Sequence, residues 1–506
     1  MNQRWLNAGA AFAAPAAAGA LSSLGFEPLV WWPLTFIAMA FLLDCIARAP
    51  RARIAFGVAW LFAAGHFLVG LNWIATAFTY QANMPASFGI GAVVLLSLYL
   101  ALFPAISAAA AWRVYRARTV SLGFVLLFAA LWIATEWLRG VLFTGFAWNP
   151  LGTVWLPVPP IARAARWIGV YGLSGVLIVT AGALWLAFRR AWRAAVGIAA
   201  AVGLLALVSV SVPSIPIGRA IPVRIVQPNI GQEQKYDVQQ VTRNERVYVR
   251  LSRTPTTHPR LILWPEDATL RFLELEPAAR AALAGLLEPG DVLLTGGESV
   301  SLDAQGEPEE YHNSVFALGS DGSLLWRYDK KHLVPFGEYL PLRPILGRIG
   351  LSRLVPGEGD FTRGTGPGTF AVPGFGAVGV QVCYEIIFSG HVLERSHRPA
   401  LLFNPSNDAW FGAWGPPQHF AQARMRAIEE GVPVARATPT GISGVIRPDG
   451  AVVSTLPPGR EGVLDTEVPP AYAATLFARV GLWASGLFAL GLGAAGLMLS
   501  RRRSGT

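Results

Sequence analysis

Charge is scarce in this chain: of 506 residues only 14% are Asp, Glu, Lys or Arg, against roughly 25% in an ordinary soluble domain. Mean hydropathy is +0.43. Together these exclude a purely soluble enzyme, a disordered chain and a nucleic-acid-binding module. Cysteine is scarcer still, and Cys45 and Cys383 are too few for a disulfide scaffold. Lysine is confined to Lys235, Lys330 and Lys331. The chain has no His-Glu-x-x-His and no Cys-x-x-Cys, and its seven histidines are scattered. No metal or other cofactor is expected. A Gly-x-Ser-x-Gly nucleophile turn is missing too, since Gly441-Ile442-Ser443-Gly444 has the wrong spacing.

Long apolar runs are plentiful. A spanning helix needs about 20 mostly apolar residues, and about eight runs qualify: 7–24, 29–47, 54–79, 88–112, 119–138, 168–188, 192–212 and 474–499. The first, alanine-rich and interrupted by Pro15, also fits a signal peptide. Its weak positive start and the apolar run close behind favour a retained helix. The net charge of +10 comes largely from arginines flanking these runs. With the N-terminus inside, the inner loops and tail hold Arg48, Arg51, Arg53, Arg113, Arg116, Arg118, Arg189, Arg190, Arg193, Arg501, Arg502 and Arg503. The outer short loops hold only Arg139, Arg163 and Arg166. That bias predicts cytoplasmic termini and places the long segment before the last helix outside. No ionisable residue is expected mid-span, which argues against a transporter. Gly491, Gly493 and Gly496 spell a dinucleotide-binding motif, but inside an apolar run they read as helix-packing residues.

The expected organisation is a transmembrane domain over 1–213, an outer catalytic domain over 214–472, and a last helix with a cytoplasmic tail over 473–506. In the outer segment apolar runs shorten to strand length at 223–227, 261–264, 292–295, 314–318, 324–328, 377–382, 401–403 and 444–447. Helical periodicity fits 238–252, 275–287 and 417–430. This alternation predicts an α/β domain with a mixed sheet.

Three chemically capable residues each end a strand run. Glu266 follows Leu261-Ile262-Leu263-Trp264-Pro265, Lys330 follows Tyr328-Asp329, and Cys383 follows Val380-Gln381-Val382. Strand ends are where α/β sheets gather ligands and catalytic groups. An unpaired thiol in an oxidising compartment is a liability unless it has a task. A lone Cys is often only a small buried hydrophobe, and Glu or Lys after a strand is often solvated. Together the three suit acyl transfer: Cys383 as nucleophile, Glu266 as general base and acid, Lys330 as oxyanion donor that also favours the thiolate.

Trp264-Pro265-Glu266, Lys330 with His332-Leu333-Val334-Pro335-Phe336-Gly337-Glu338, and Cys383-Tyr384-Glu385 resemble the nitrilase superfamily. Glu136-Trp137-Leu138-Arg139-Gly140 and Asn407-Asp408-Ala409-Trp410-Phe411-Gly412 extend the likeness to its membrane-embedded branch, over nearly the whole chain. The resemblance implies a multi-pass α-helical membrane domain and a periplasmic α-β-β-α sandwich, in the bacterial inner membrane. It implies a Glu266-Lys330-Cys383 triad supported by Glu338, Tyr384 and Glu385. Tyr236 stands where the family often has Trp. The implied reaction moves an acyl chain from a phospholipid, by habit phosphatidylethanolamine, through a Cys383 thioester to the N-terminal amine of diacylated apolipoproteins. A membrane-tethered amidase using water remains the alternative. Trp410, Phe411 and Trp414 are expected at the lipid boundary.

Overall fold

The computed structural model describes residues 3–80, 85–115, 121–235, 237, 239–253, 255–256, 258–349, 359–366 and 368–504. Tyr236, Arg116, Arg118 and residues 350–358 lie outside the described residues. The chain forms two compact units, one of 1–75, 87–213 and 474–506, the other of 76–86 and 214–473.

The first unit is helical. Its long helices are Gln3–Ser23, Trp32–Arg48, Ala52–Gly70, Ser87–Leu100 with Leu102–Tyr115, Leu122–Val141, Ala165–Phe188, Trp192–Ser211 and Trp483–Ser504. Among the described residues six helical segments are long and apolar enough to cross a membrane: Ala52–Gly70, Ser87–Tyr115, Leu122–Val141, Ala165–Phe188, Trp192–Ser211 and Trp483–Ser500. Local chemistry starts them where the sequence changes. Pro33 occupies the first turn of Trp32–Arg48, and the Ser121 hydroxyl caps Leu122–Val141 by accepting from Phe124 N. The glycine run of the last helix packs against a neighbour: a Cβ on Gly496 would come within 2.9 Å of the Gly123 carbonyl oxygen. The packing account therefore holds for Gly496, whereas a Cβ on Gly491 would meet nothing within 4 Å.

Glu136 and Arg139, in the last turns of Leu122–Val141, are both buried inside the helical unit. They secure the following loop, since Glu136 Oε1 accepts from Leu151 N at 2.8 Å and Arg139 Nη1 donates to the Trp148 carbonyl at 2.9 Å. Spacing along one apolar run could not reveal this, because the partners come from the returning loop.

Among the described residues the second unit has 14 strands: β1 Pro216–Ile217, β2 Ile221–Gln227, β3 Leu261–Leu263, β4 Val292–Leu302, β5 Pro308–Gly319, β6 Leu324–Asp329, β7 Gly368–Val372, β8 Gly376–Val380, β9 Leu401–Pro405, β10 Val434–Ala437, β11 Ser443–Ile446, β12 Val452–Leu456, β13 Gly462–Val468 and β14 Ala471–Tyr472. β1 and β14 form a small ribbon, and the rest make two six-stranded sheets. One has the order β13-β2-β3-β4-β5-β6, the other β12-β11-β10-β9-β8-β7. Both are mixed: β2-β3-β4 and β8-β9-β10 run parallel and their flanks antiparallel.

Alternation explains the layers. Val223, Ile225, Leu261, Leu263, Leu294 and Val315 from one sheet share a buried core with Val378, Val380, Leu401, Phe403 and Ala435 from the other. The opposite face of the first sheet, with Val226, Ile262, Trp264 and Leu293, packs on Tyr248 and Leu286 in and beside the helices Val241–Ser252 and Pro277–Ala284. The helix Gly415–Glu430, buried along most of its length, belongs to the second sheet's layer. The result is an α-β-β-α sandwich.

Candidate active site

Glu266 follows β3, Lys330 follows β6 and Cys383 follows β8, so one carboxylate and one ammonium come from the first sheet and the thiol from the second. Lys330 is 1% exposed. Its Nζ lies 3.0 Å from Glu266 Oε1 and 2.9 Å from Glu338 Oε1, which leaves the third ammonium proton for another acceptor. Asn313 on β5 donates to the same two oxygens, at 2.8 and 2.7 Å. The other oxygen of each carboxylate is tied to backbone: Glu266 Oε2 to Asn407 N at 2.8 Å, Glu338 Oε2 to Val334 N at 2.8 Å. Glu338 thus orients Lys330.

Electrostatics sets the resting protonation. Burial opposes charge on Glu266, but Lys330, Asn313 and Lys235 outweigh it and hold the carboxyl below its ordinary pKa. Burial likewise opposes charge on Lys330, yet Glu266, Glu338 and Cys383 raise it well above the ordinary lysine value. Burial and the Glu266 carboxylate push the Cys383 thiol well above its ordinary value, against the pull of Lys330. The site therefore rests as carboxylate, ammonium and neutral thiol. The sequence-based expectation that Lys330 favours the thiolate holds in direction, but it is outweighed here.

Cys383 opens a short 3₁₀ turn to Ile387 and has φ +48°. A left-handed backbone at a residue with a side chain costs about 1–3 kcal/mol and persists only where neighbours enforce it. Glu385 is one such neighbour. Its carboxylate accepts from Val382 N at 2.8 Å, Lys331 N at 2.9 Å, His332 N at 3.0 Å and the Tyr328 hydroxyl at 3.0 Å. It joins the Lys330 segment to the Cys383 turn across the two sheets. Burial raises the Glu385 pKa. Tyr384 packs edge-on to Phe388 and beside His332, which stacks on Phe388 at 3.8 Å.

An opening of about 450 Å³, lined in part by Lys235, Tyr248, Asp267 and Leu270, reaches Glu266. Its mouth carries the Lys235–Asp267 ion pair at 2.5 Å. Trp410 and Trp414 are half-buried, and Phe411 packs against the core cluster that contains Cys383.

Asn313, Arg436 and the backbone of Asn407 escaped the sequence analysis as site groups. Asn313 precedes the expected 314–318 strand by one residue, and its neighbours His312 and Ser314 form no recognisable pattern. Arg436 lies within β10, a strand too short and too mixed to stand out.

Two facing sheets with a buried carboxylate, ammonium and thiol at their strand ends make the second unit a carbon-nitrogen hydrolase-type domain. Residues 223–476 match the carbon-nitrogen hydrolase family model. Residues 18–183 match the model described as the apolipoprotein N-acyltransferase N-terminal domain. The chain is 37% identical over 491 residues to the apolipoprotein N-acyltransferase of Rhodopseudomonas palustris, covering 92% of this chain and 90% of that one. It is 36% identical to the Bradyrhizobium diazoefficiens protein of that name, covering 92% and 90%, and 35% identical to that of Ralstonia nicotianae, covering 97% and 94%. The chain belongs to the apolipoprotein N-acyltransferase family. It is a membrane protein of the bacterial envelope and an acyltransferase by membership.

Proposed function

We propose that the protein takes an acyl chain from a phospholipid, with phosphatidylethanolamine as donor, and transfers it to the α-amine of the S-diacylglyceryl cysteine that begins an apolipoprotein. The observation that carries this reading is the Lys330 ammonium clamped between Glu266 and Glu338 within electrostatic reach of a buried, unpaired thiol. Because the resting thiol is neutral, deprotonation accompanies attack. Glu266 takes the Sγ proton as Sγ bonds to the ester carbonyl, and the free Lys330 proton meets the oxyanion. Collapse breaks the ester C–O bond, and Glu266 returns the proton to the leaving lysophospholipid. The acceptor amine then attacks the thioester, gives its proton to Glu266 and expels the Cys383 sulfur, which is reprotonated.

The membrane arrangement supports lipid-anchored substrates. The reading places eight spans over 1–213 and 473–506, both termini in the cytoplasm, and the 214–472 catalytic domain in the periplasm. Its support is the arginine bias and, among the described residues, six helices long and apolar enough to cross a membrane, with Gln3–Ser23 and Trp32–Arg48 completing the eight. The half-buried Trp410 and Trp414 leave ring area for the outer lipid boundary.

The test is incubation of the purified enzyme with phospholipid alone, followed by intact-mass spectrometry. One added acyl chain, removed by neutral hydroxylamine and absent in Cys383→Ala, is the expected outcome. Lysophospholipid release only when the apolipoprotein is present means direct transfer. Continuous fatty-acid release means that water, and not the apolipoprotein amine, is the acyl acceptor.

A further inference from the structure

The left-handed backbone of Cys383 is fixed on its N-terminal side by Glu385. Its own carbonyl oxygen is held separately, by His419 Nε2 at 3.0 Å from the helix Gly415–Glu430. His419 is fully buried. A carbonyl oxygen can only accept, so Nε2 carries the hydrogen. The other ring nitrogen, Nδ1, lies 2.9 Å from Arg436 Nη2 and 3.0 Å from Asp408 Oδ1. Arg436 Nη2 also donates to both Asp408 oxygens, at 2.7 and 2.8 Å, and Nη1 donates to Ser406 Oγ at 2.8 Å. Nδ1 thus faces both members of the Arg436–Asp408 ion pair, while burial and Arg436 lower the pKa of the ring. Space around the cluster is closed: a Cβ on Gly441 would stand 2.4 Å from Asp408 Oδ2, and the Phe411 ring covers the imidazole edge-on at 5.6 Å.

With one nitrogen on a backbone carbonyl and the other on an ion pair, the imidazole does not serve as the base for the thiol. Among the described residues no metal-binding group of His, Cys, Asp and Glu gathers here. The arrangement has one output, the orientation of the Cys383 peptide. We propose that His419, locked by the Arg436–Asp408 pair, is a positioning residue for acyl transfer. Its Nε2–H holds the Cys383 carbonyl and thereby the left-handed turn that aims Sγ at the substrate. This inference rests on Cys383 being the nucleophile.

The full-length enzyme tests it through His419→Gln, His419→Asn and Asp408→Asn. A glutamine amide nitrogen reaches about as far as Nε2 and still donates to the carbonyl, whereas an asparagine nitrogen stops near the Nδ1 position. The readouts are the single-turnover rate of acyl-Cys383 formation from phospholipid, the KM for phospholipid and Tm. His419→Asn is expected to acylate about a hundredfold more slowly, the scale of a small misplacement of a reacting atom, with KM unchanged. His419→Gln is expected to recover to within about tenfold of wild type at a Tm like that of the Asn variant. Asp408→Asn, which leaves the imidazole in place but loosens its lock, is expected to slow acylation with KM unchanged, and it carries the test where both His419 variants fail to fold. Equal losses in the Gln and Asn variants, or a wild-type rate in Asp408→Asn, overturn the positioning role while leaving the nucleophile intact. A wild-type enzyme that acquires no acyl group on Cys383 overturns the thioester reading itself, and this inference with it.

Discussion

Asn313 donates its side-chain amide to Glu266 Oε1 at 2.8 Å, the same oxygen that Lys330 engages at 3.0 Å. The base is therefore held by two donors on one oxygen and by the Asn407 backbone on the other. Removing a hydrogen bond to a charged group costs about 1.5–3 kcal/mol, or about 10- to 100-fold in rate. Asn313→Leu is expected to slow single-turnover acylation by that factor while the protein still folds. Asn313→Asp, which adds a third carboxylate beside Lys330, is expected to lose more.

Glu266→Gln separates thiol reactivity from turnover. The carboxylate raises the Cys383 pKa, so its removal lowers that pKa and exposes more thiolate at a given pH. Iodoacetamide is expected to label Cys383 faster in this variant than in wild type at pH 8. Acyl transfer, deprived of its base, falls by about 10²- to 10⁴-fold. Slower labelling in Glu266→Gln would contradict the assigned charge state.

The pH dependence has a defined sign. Glu266 has a folded pKa below its unfolded value of about 4.3, so its pairing stabilises the fold above that value. The contribution is lost as pH falls through the depressed folded pKa. The same carboxylate must be ionised to act as base. Lys330, raised well above its ordinary value, adds no alkaline loss near neutrality. Acylation rates measured from pH 5 to pH 9 are therefore expected to show no inflection that belongs to Glu266 or Lys330. A drop in rate centred near pH 6 that vanishes with Glu266 replaced would reveal a protonated base instead.

Glu385→Ala removes the acceptor for Val382 N, Lys331 N, His332 N and the Tyr328 hydroxyl. Buried donors left unmatched cost about 1–3 kcal/mol each, so a clear fall in Tm and loss of activity are expected together. Tyr328→Phe removes one donor and leaves the carboxylate in place, and a smaller fall in Tm is its expected outcome. Activity loss without any change in Tm in Glu385→Ala would indicate a direct chemical role.

The fold and half the site were legible because their signals are local. Glu266, Lys330 and Cys383 each sit one to three residues past an apolar strand run, and Glu338 and Glu385 stand close along the chain to what they orient. Asn313 reaches Glu338, Arg436 reaches Asp408 and His419 reaches Cys383 across gaps of 25 residues or more, so these partners exist only once the sheets are formed. The same limit hid Glu136 and Arg139, whose partners return from the next loop. A residue's neighbours along the chain announce a strand end, but they say nothing of which distant side chain will close a hydrogen bond there.

Residues 76–86 cluster with 214–473, the Tyr80 ring meets Trp410 edge-on at 5.7 Å, and a Cβ on Gly412 would come within 2.6 Å of Thr76 Oγ1. The unit that carries Cys383 is thus discontinuous in the chain. During synthesis Thr76 and Tyr80 leave the ribosome long before the loop they brace, which cannot settle until the later strands have formed. A fragment cut out as 214–473 would keep every triad residue and still lack the brace beside Asp408. Such a fragment is expected to fold with a frayed 408–412 loop, and a co-expressed peptide carrying residues 70–90 would be needed to restore it.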